Sequence, residues 1–112
     1  MKRSDDSVRL MHMLEAAQKA VRLIKGKNRH DVDADETLAL ALTRLLEIIG
    51  EAANGVSPSI RDSHSNIAWK EIVGVRNHLI HGYFDVDHDI VWQILTLDLP
   101  SLIVELEKIL GK

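Results

Sequence analysis

The chain has 112 residues, 28% charged and 46% hydrophobic, which fits one small globular domain spanning residues 1–112. It contains no cysteine, so disulfides and thiolate zinc sites are excluded, and its net charge of −3 argues against a strong non-specific nucleic-acid binder. The first residues include acids where a signal peptide is apolar, and no uncharged run is long enough to span a membrane. We therefore expect a cytoplasmic protein with no membrane partner.

The charges are unevenly distributed along the chain. Between Lys19 and Arg29 the chain has basic residues and no acidic residue, whereas between Asp85 and Glu107 it has acidic residues and no lysine or arginine. A basic stretch is typical of a solvated helix end, because cations are favourable near a helix C-terminus. The alternative interpretation is a local edge of the protein that contacts phosphate groups.

The first predicted element is an amphipathic helix over residues 5–25. Its apolar residues recur at spacings of three and four, which is the period of a helix with one buried face. Ser4 or Asp5 is a suitable N-cap, and Gly26 is a suitable end residue. A polar loop is expected to follow.

A second helix is predicted to begin near Ala34. Asp33 followed by Glu36 three residues later approximates a capping box, and Gly55 is placed to end the helix. Its expected core stripe consists of Leu38, Leu42, Leu45, Ile49, Ala52 and Val56. Further apolar residues lie off that stripe, namely Leu40, Leu46 and Ile48, so the helix has more apolar surface than one face requires.

The rest of the chain predicts one short helical turn at 58–62, a third helix from Ile67 to His81, and a fourth helix capped by Asp85 or Asp87 and extending to Leu110. Gly82 is expected to end the third helix in a left-handed conformation. Within the fourth helix, Pro100 should produce a kink. Trp69 and Trp92 are expected in the core rather than at a nucleobase site.

Four helices with short connections predict an all-α, antiparallel up-and-down four-helix bundle with one short extra turn. The second and fourth helices have wide apolar surfaces, which favours a homodimer through a helix–helix interface. The alternative is a single larger core that uses the whole apolar surface.

Residues 75–84, VRNHLIHGYF, concentrate polar side chains at the predicted end of the third helix. His81 is expected in the last turn, where the partial negative charge of the helix end favours protonated imidazole. Asn77 lies four residues earlier on the same face, and Arg76 lies one residue before Asn77. A guanidinium binds two phosphate oxygens at once, and an imidazole moves a proton, so the pair suits phosphodiester chemistry.

RNA is a suitable substrate for this group of side chains, because its 2′-hydroxyl supplies the nucleophile and no metal or cofactor is required. Transesterification needs both a base and an acid, and a symmetric dimer would bring two copies of the motif together. Two alternatives stay open. The polar residues are a solvated helix end, or His78 and His81 bind a metal with Asp85 or His88.

The order Arg76-Asn77-x-x-x-His81-x-Tyr83 resembles the Rx4HxY motif of HEPN-domain ribonucleases. The wider sequence, with IIGEAA at 48–53, IVGVRN at 72–77 and HGYFDVD at 81–87, resembles the HepT family over residues 38–97. The chain departs from that pattern at Ser65 and Ala68, where prolines are expected. These changes bear on the stiffness of the loop before Trp69 and not on the chemistry.

The resemblance implies an all-α bundle that dimerises with its two motifs facing each other across a cleft. It also implies the toxin of a type VII-like toxin–antitoxin pair, in which an endoribonuclease is neutralised by a small nucleotidyltransferase antitoxin. Carried over, Arg76 is the phosphate clamp, His81 transfers protons and Asn77 is a supporting polar group. Tyr83 would accept AMP from ATP, and the added negative charge would repel a phosphodiester. Glu51 either holds Arg76 through an ion pair or is an ordinary exposed helix residue.

Two further hypotheses belong to other functional classes. In the first, the protein is a non-catalytic subunit that docks the nucleotidyltransferase and presents the motif for modification, which agrees with the negative net charge and the single motif histidine. In the second, the protein is a helical dimer that binds a nucleotide as a sensor. Growth arrest on expression, relieved by Arg76→Ala, separates the toxin from both.

Overall fold

The computed structural model describes residues 3–80 and 85–112, and these residues are mostly helical. The helices are α1 (Arg3–Leu23), α2 (Arg29–Ala34), α3 (Glu36–Asn54), α4 (Pro58–Ser63), α5 (Trp69–Val73), α6 (Val75–Leu79), α7 (His88–Gln93) and α8 (Leu99–Leu110), and a π-helical segment, Ile94–Asp98, joins α7 to α8. The predicted all-α class is confirmed. The predicted placements of His81, Gly82 and Tyr83 lie outside the described residues.

The core lies where the long helices α1 and α3 pack together, with α8 against α1 and with α5 and α6 against the other side of α3. Fully buried side chains come from α1, α3, α6 and α8, among them Met13, Leu42, Leu79 and Leu106. Leu46, which the sequence places off the core stripe, is only 2% exposed. The buried face of α3 is therefore wider than the predicted core stripe, because α5 and α6 pack on this helix as well as α1.

The predicted N-caps at the start of the chain and before the second helix are wrong. Helix α1 already begins at Arg3, so Ser4 and Asp5 lie inside the helix. Gly26 does adopt the left-handed conformation, with φ of 76°, three residues after the last residue of α1. A left-handed glycine at this place stops the helix without a Cβ penalty, as predicted.

The polar loop after Gly26 contains the short helix α2. Its capping box uses Asn28 and Asp31, whose side chains each accept a hydrogen bond from the other residue's backbone N–H. Helix α3 is capped by Asp35, which accepts from the N–H of Leu38 at 3.1 Å. Asp33 is therefore not the cap of α3, because it lies inside α2 and the longer helix begins after Asp35.

The predicted third helix is divided and ends early. Gly74 separates α5 from α6, and α6 ends at Leu79. Ile80 is already extended, with φ of −109° and ψ of 116°, and it forms an isolated antiparallel bridge with Val86. The helix therefore ends at Leu79, two residues short of the end predicted from the sequence, and the predicted position of His81 itself lies outside the described residues.

The predicted fourth helix begins as expected and is interrupted in its middle. Asp87 caps α7 by accepting from the N–H groups of Asp89 and Ile90, whereas Asp85 is exposed and is not the cap. The sequence predicted a kink at Pro100, and the structure has a π-helical segment, Ile94–Asp98, just before that residue; the N–H of Leu99 bonds to the carbonyl of Ile94. This wider turn precedes a proline that has no N–H to continue the α-helical ladder.

The two tryptophans differ in burial. Trp69 is in the core, as predicted, and its Nε1 donates to the carbonyl of His64 at 3.0 Å. Trp92 is half-buried and packs against the core. Within residues 3–80 and 85–112, no helix has both the length and the apolar character that crossing a membrane requires.

Candidate functional site

Helix α6 holds the first half of the polar motif on the surface. Val75 and Leu79, one helical turn apart, are both buried and fasten the helix to the core. The three residues between them, Arg76, Asn77 and His78, are exposed. Because five residues make little more than one turn, these two apolar contacts decide which way the polar side chains point.

Gly50 of α3 sets the distance between that helix and the segment that bears Arg76. A Cβ added at Gly50 would lie 2.9 Å from the carbonyl oxygen of Ile72 and 3.2 Å from Cγ1 of Val75. Only a residue without a side chain permits so close an approach of α3 to α5 and α6. The glycine is therefore part of how the fold positions the motif.

The guanidinium of Arg76 is paired with a carboxylate on α3. Its Nε lies 3.2 Å from Oε2 of Glu47. Glu51, which the sequence suggested as the partner of Arg76, instead lies 3.2 Å from Nη1 of Arg44. Glu47 and Glu51 are four residues apart on the same helix face, so the pairing is made one turn earlier than expected.

The chain on both sides of residues 81–84 is held beside α6. Ile80 bridges to Val86, and the N–H of Asp87 donates to the carbonyl of Leu79 at 2.6 Å. His81 and Tyr83 lie outside the described residues, as stated above. The two described ends of this segment are therefore fixed beside the helix that carries Arg76.

A charged cluster connects α2 to the start of α7. His88 Nδ1 lies 2.8 Å from Oδ1 of Asp33, and Arg29 binds the carboxylates of both Asp33, at 3.0 Å, and Asp89, at 2.7 Å. The hydrogen bond with His88, followed by the one with Arg29, lowers the pKa of Asp33 below its usual value. Hydrogen bonds to Asp33 and, to a smaller extent, to Asp89 raise the pKa of Arg29.

This cluster bears on two alternatives from the sequence. His88 faces Asp33, and within the described part of the chain no group of three or more His, Asp or Glu side chains is arranged to hold a metal ion. Of the basic stretch, Arg29 is engaged in the cluster, whereas Lys19, Arg22, Lys25 and Lys27 are exposed. These four side chains agree with a solvated helix end.

A groove of about 680 Å³ opens next to α6. Its walls are formed by α3, α5, α6, the π-helical segment and α8, and they are mainly apolar. The side chains that line it include Leu46, Ile49, Ile72, Val75, Ile94 and Leu102. His78 lines the same groove, so this apolar surface adjoins the exposed face of the motif helix.

Comparison with known proteins identifies the family. The family model described as ribonuclease HepT-like matches residues 13–109. The chain belongs to the HepT-like ribonuclease family. The match covers α6, the groove and the segment that holds His81 and Tyr83, so the family assignment includes the whole candidate site.

Individual members of the HepT-like family agree with this assignment. "Putative RNase TTE0752" of Caldanaerobacter subterraneus subsp. tengcongensis is 38% identical over 103 residues, which is 92% of each chain. "Putative RNase MJ1380" of Methanocaldococcus jannaschii is 35% identical over 96% of this chain and 98% of its own. "Probable ribonuclease HepT" of Thermococcus cleftensis is 36% identical over 86% of this chain and 91% of its own. No solved structure matches the chain.

Sequence reasoning missed Glu47. The signal that could have indicated it is its spacing, since Arg44, Glu47 and Glu51 form one charged stripe along α3. The stripe alone leaves both glutamates as candidates. The choice between them depends on the height at which α6 packs along α3, which only the tertiary structure determines.

Proposed function

We propose that this HepT-like protein is a metal-independent endoribonuclease and the toxin of a type VII-like toxin–antitoxin pair. The main supporting observation is the exposed Arg76 on α6, which is paired with Glu47 of α3 and precedes His81 by five residues in the sequence. The family match over residues 13–109 and the relatives named as RNases support the same activity. Each role below is part of this proposal.

Arg76 binds the scissile phosphate and stabilises the charge that develops on its oxygens. The 2′-oxygen attacks phosphorus as its proton passes to a base, and the bond from phosphorus to the 5′-oxygen breaks as that oxygen gains a proton. The products are a 2′,3′-cyclic phosphate and a 5′-hydroxyl end. His81 transfers one of these protons, and Asn77 supports the phosphate as an amide donor.

A homodimer completes the site, because each motif contributes one histidine and the reaction uses two proton transfers. The groove beside α6 supports this arrangement, since its apolar walls offer a second copy a surface to pack on. A copy seated there lies next to the helix that carries Arg76. The two motifs would then share one cleft.

The antitoxin partner is a small nucleotidyltransferase that transfers AMP from ATP to the hydroxyl of Tyr83. The new phosphodiester adds bulk and negative charge two residues from His81. An RNA phosphate is repelled by that charge, and the cleft is obstructed. The reaction therefore switches off cleavage without unfolding the toxin.

The test is cleavage of single-stranded RNA by purified protein in excess EDTA, with His81→Ala prepared in parallel. The wild type should generate cyclic phosphate ends, and the variant should not. Equal degradation by both proteins would mean a contaminating nuclease and would contradict the proposal. No cleavage by either protein, together with a stable complex with the nucleotidyltransferase, would favour the docking subunit.

A further inference from the structure

A ladder of alternating charges runs along α3 to Arg76. Glu51 lies 3.2 Å from Arg44, Arg44 lies 3.8 Å from Glu47, and Glu47 lies 3.2 Å from Arg76. The first three residues share one face of α3, and only Arg76 comes from another element. Arg44 is closer to Glu51 than to Glu47, so the carboxylate of Glu47 is available to Arg76.

Glu47 differs from its neighbours in burial. Its side chain is 19% exposed, compared with 71% for Arg76 and 58% for Arg44. A half-buried charge is screened less by salt and water than an exposed one, so its attraction for a neighbouring cation is greater. A buried stem also has fewer rotamers to lose. Glu47 is thus the fixed member of the pair, and Arg76 is the side chain that is held.

The atom that makes the contact matters for function. Glu47 meets Arg76 through Nε, and a guanidinium carries four further N–H donors on its two terminal nitrogens. Those are donors with which the same guanidinium can clasp two phosphate oxygens. A carboxylate beside Nε therefore holds the guanidinium from one side and leaves its two terminal nitrogens open to a phosphate.

We propose that Glu47 is a positioning residue for the ribonuclease reaction: it holds Arg76 in the orientation that binds the scissile phosphate. The inference rests on the proposed function. Glu47 acts through Arg76 and does not touch RNA. Because the phosphate is bound most strongly in the transition state, misorientation of Arg76 slows the chemical step more than it weakens RNA binding.

The experiment measures kcat and KM for one RNA oligonucleotide with five variants. Glu47→Ala should lower kcat by about tenfold to a hundredfold, in line with a reacting group misplaced by about 1 Å. KM should stay the same or fall, since removal of a carboxylate does not weaken attraction of the RNA. Glu47→Gln keeps an oxygen acceptor for Nε and should retain more of kcat than Glu47→Ala.

Glu15→Ala is the matched control, because Glu15 is exposed on α1 and its loss changes the net charge by the same amount. It should leave kcat unchanged. The double variant Glu47→Ala/Arg76→Ala should be no slower than Arg76→Ala alone, since Glu47 acts only through Arg76. If circular dichroism shows that Glu47→Ala is unfolded at the assay temperature, the kcat of the isosteric Glu47→Gln, compared with that of the wild type, decides whether Glu47 has the positioning role.

The outcomes separate the two proposals. If Arg76→Ala cleaves as fast as the wild type, the proposed function fails. If Arg76→Ala is slow but Glu47→Ala and Glu47→Gln keep the wild-type kcat, the function stands and the positioning role is overturned. A rise in KM at constant kcat, or an additional loss in the double variant, also overturns it.

Discussion

Replacing Gly50 by alanine tests the close packing that places the motif helix on α3. The new Cβ would lie 2.9 Å from the carbonyl oxygen of Ile72, a distance that real Cβ atoms essentially never show, and 3.2 Å from Cγ1 of Val75. The carbonyl belongs to the backbone of α5 and cannot rotate away as a side chain would. The segment from α5 to α6, with Arg76, must therefore move outward.

Two opposing terms set the effect of Gly50→Ala on stability. Alanine is favoured over glycine inside a helix by about 1 kcal/mol. Overpacking of a well-packed site costs about 1–3 kcal/mol. The free energy of unfolding should therefore fall by up to about 2 kcal/mol or stay nearly the same, but it should not rise. Displacement of Arg76 should also reduce RNA cleavage, by up to about a hundredfold for a shift of about 1 Å.

The assays for Gly50→Ala are urea unfolding followed by circular dichroism, and cleavage of an RNA oligonucleotide. Gly55→Ala is the matched control, because the three atoms nearest to its added Cβ all belong to the flexible side chain of Arg9. That control should cleave RNA at the wild-type rate. If Gly50→Ala gained the full helix-propensity benefit of about 1 kcal/mol and cleaved RNA normally, the close approach of α3 to the motif would be refuted.

Three other predictions follow, one from described hydrogen bonds and two from the proposed function. The Oγ and the N–H of Ser57 donate hydrogen bonds to Asp6, and these bonds lower the pKa of Asp6. A carboxyl whose pKa is lower in the folded state stabilises the protein at pH values above its unfolded pKa, so the free energy of unfolding should fall as the pH drops below 3.8. In urea unfolding, this fall should be less steep for Asp6→Asn. An unchanged slope would contradict this role of Asp6. Tyr83→Phe should still cleave RNA but gain no AMP when incubated with ATP and the nucleotidyltransferase, as intact mass spectrometry would show; AMP on the variant would rule out Tyr83 as acceptor. Ile94→Glu, in the groove wall, should shift the protein from dimer to monomer in light scattering and reduce cleavage; an unchanged dimer would place the interface elsewhere.

Helical periodicity was sufficient for the long elements and insufficient for their ends. The apolar spacing in α1 and α3 predicted both helices because a helix that packs on a core repeats its apolar residues every three or four positions. Cap residues were ambiguous, because Asp31, Asp33 and Asp35 all lie within five residues and each can cap a helix. The capping bonds that form depend on where α2 packs, which local sequence does not contain.

The candidate site was predictable in composition and less so in geometry. The motif identified Arg76 and Asn77 as residues of one exposed helix, and the structure agrees. Gly74 was overlooked as the break between two short helices, since one glycine inside an apolar period is often tolerated. The sequence left two interpretations of Glu51 open and did not indicate Glu47 as the partner of Arg76, because a sequence predicts the face of a helix but not the level at which a neighbouring helix packs along it.

The rate of RNA cleavage by Arg76→Ala, compared with the wild type in EDTA and under single-turnover conditions, tests the central claim most directly. Loss of the phosphate clamp should reduce the rate by on the order of a hundredfold or more, with the variant still folded by circular dichroism. Equal rates and identical cleavage products from the two proteins would contradict the account.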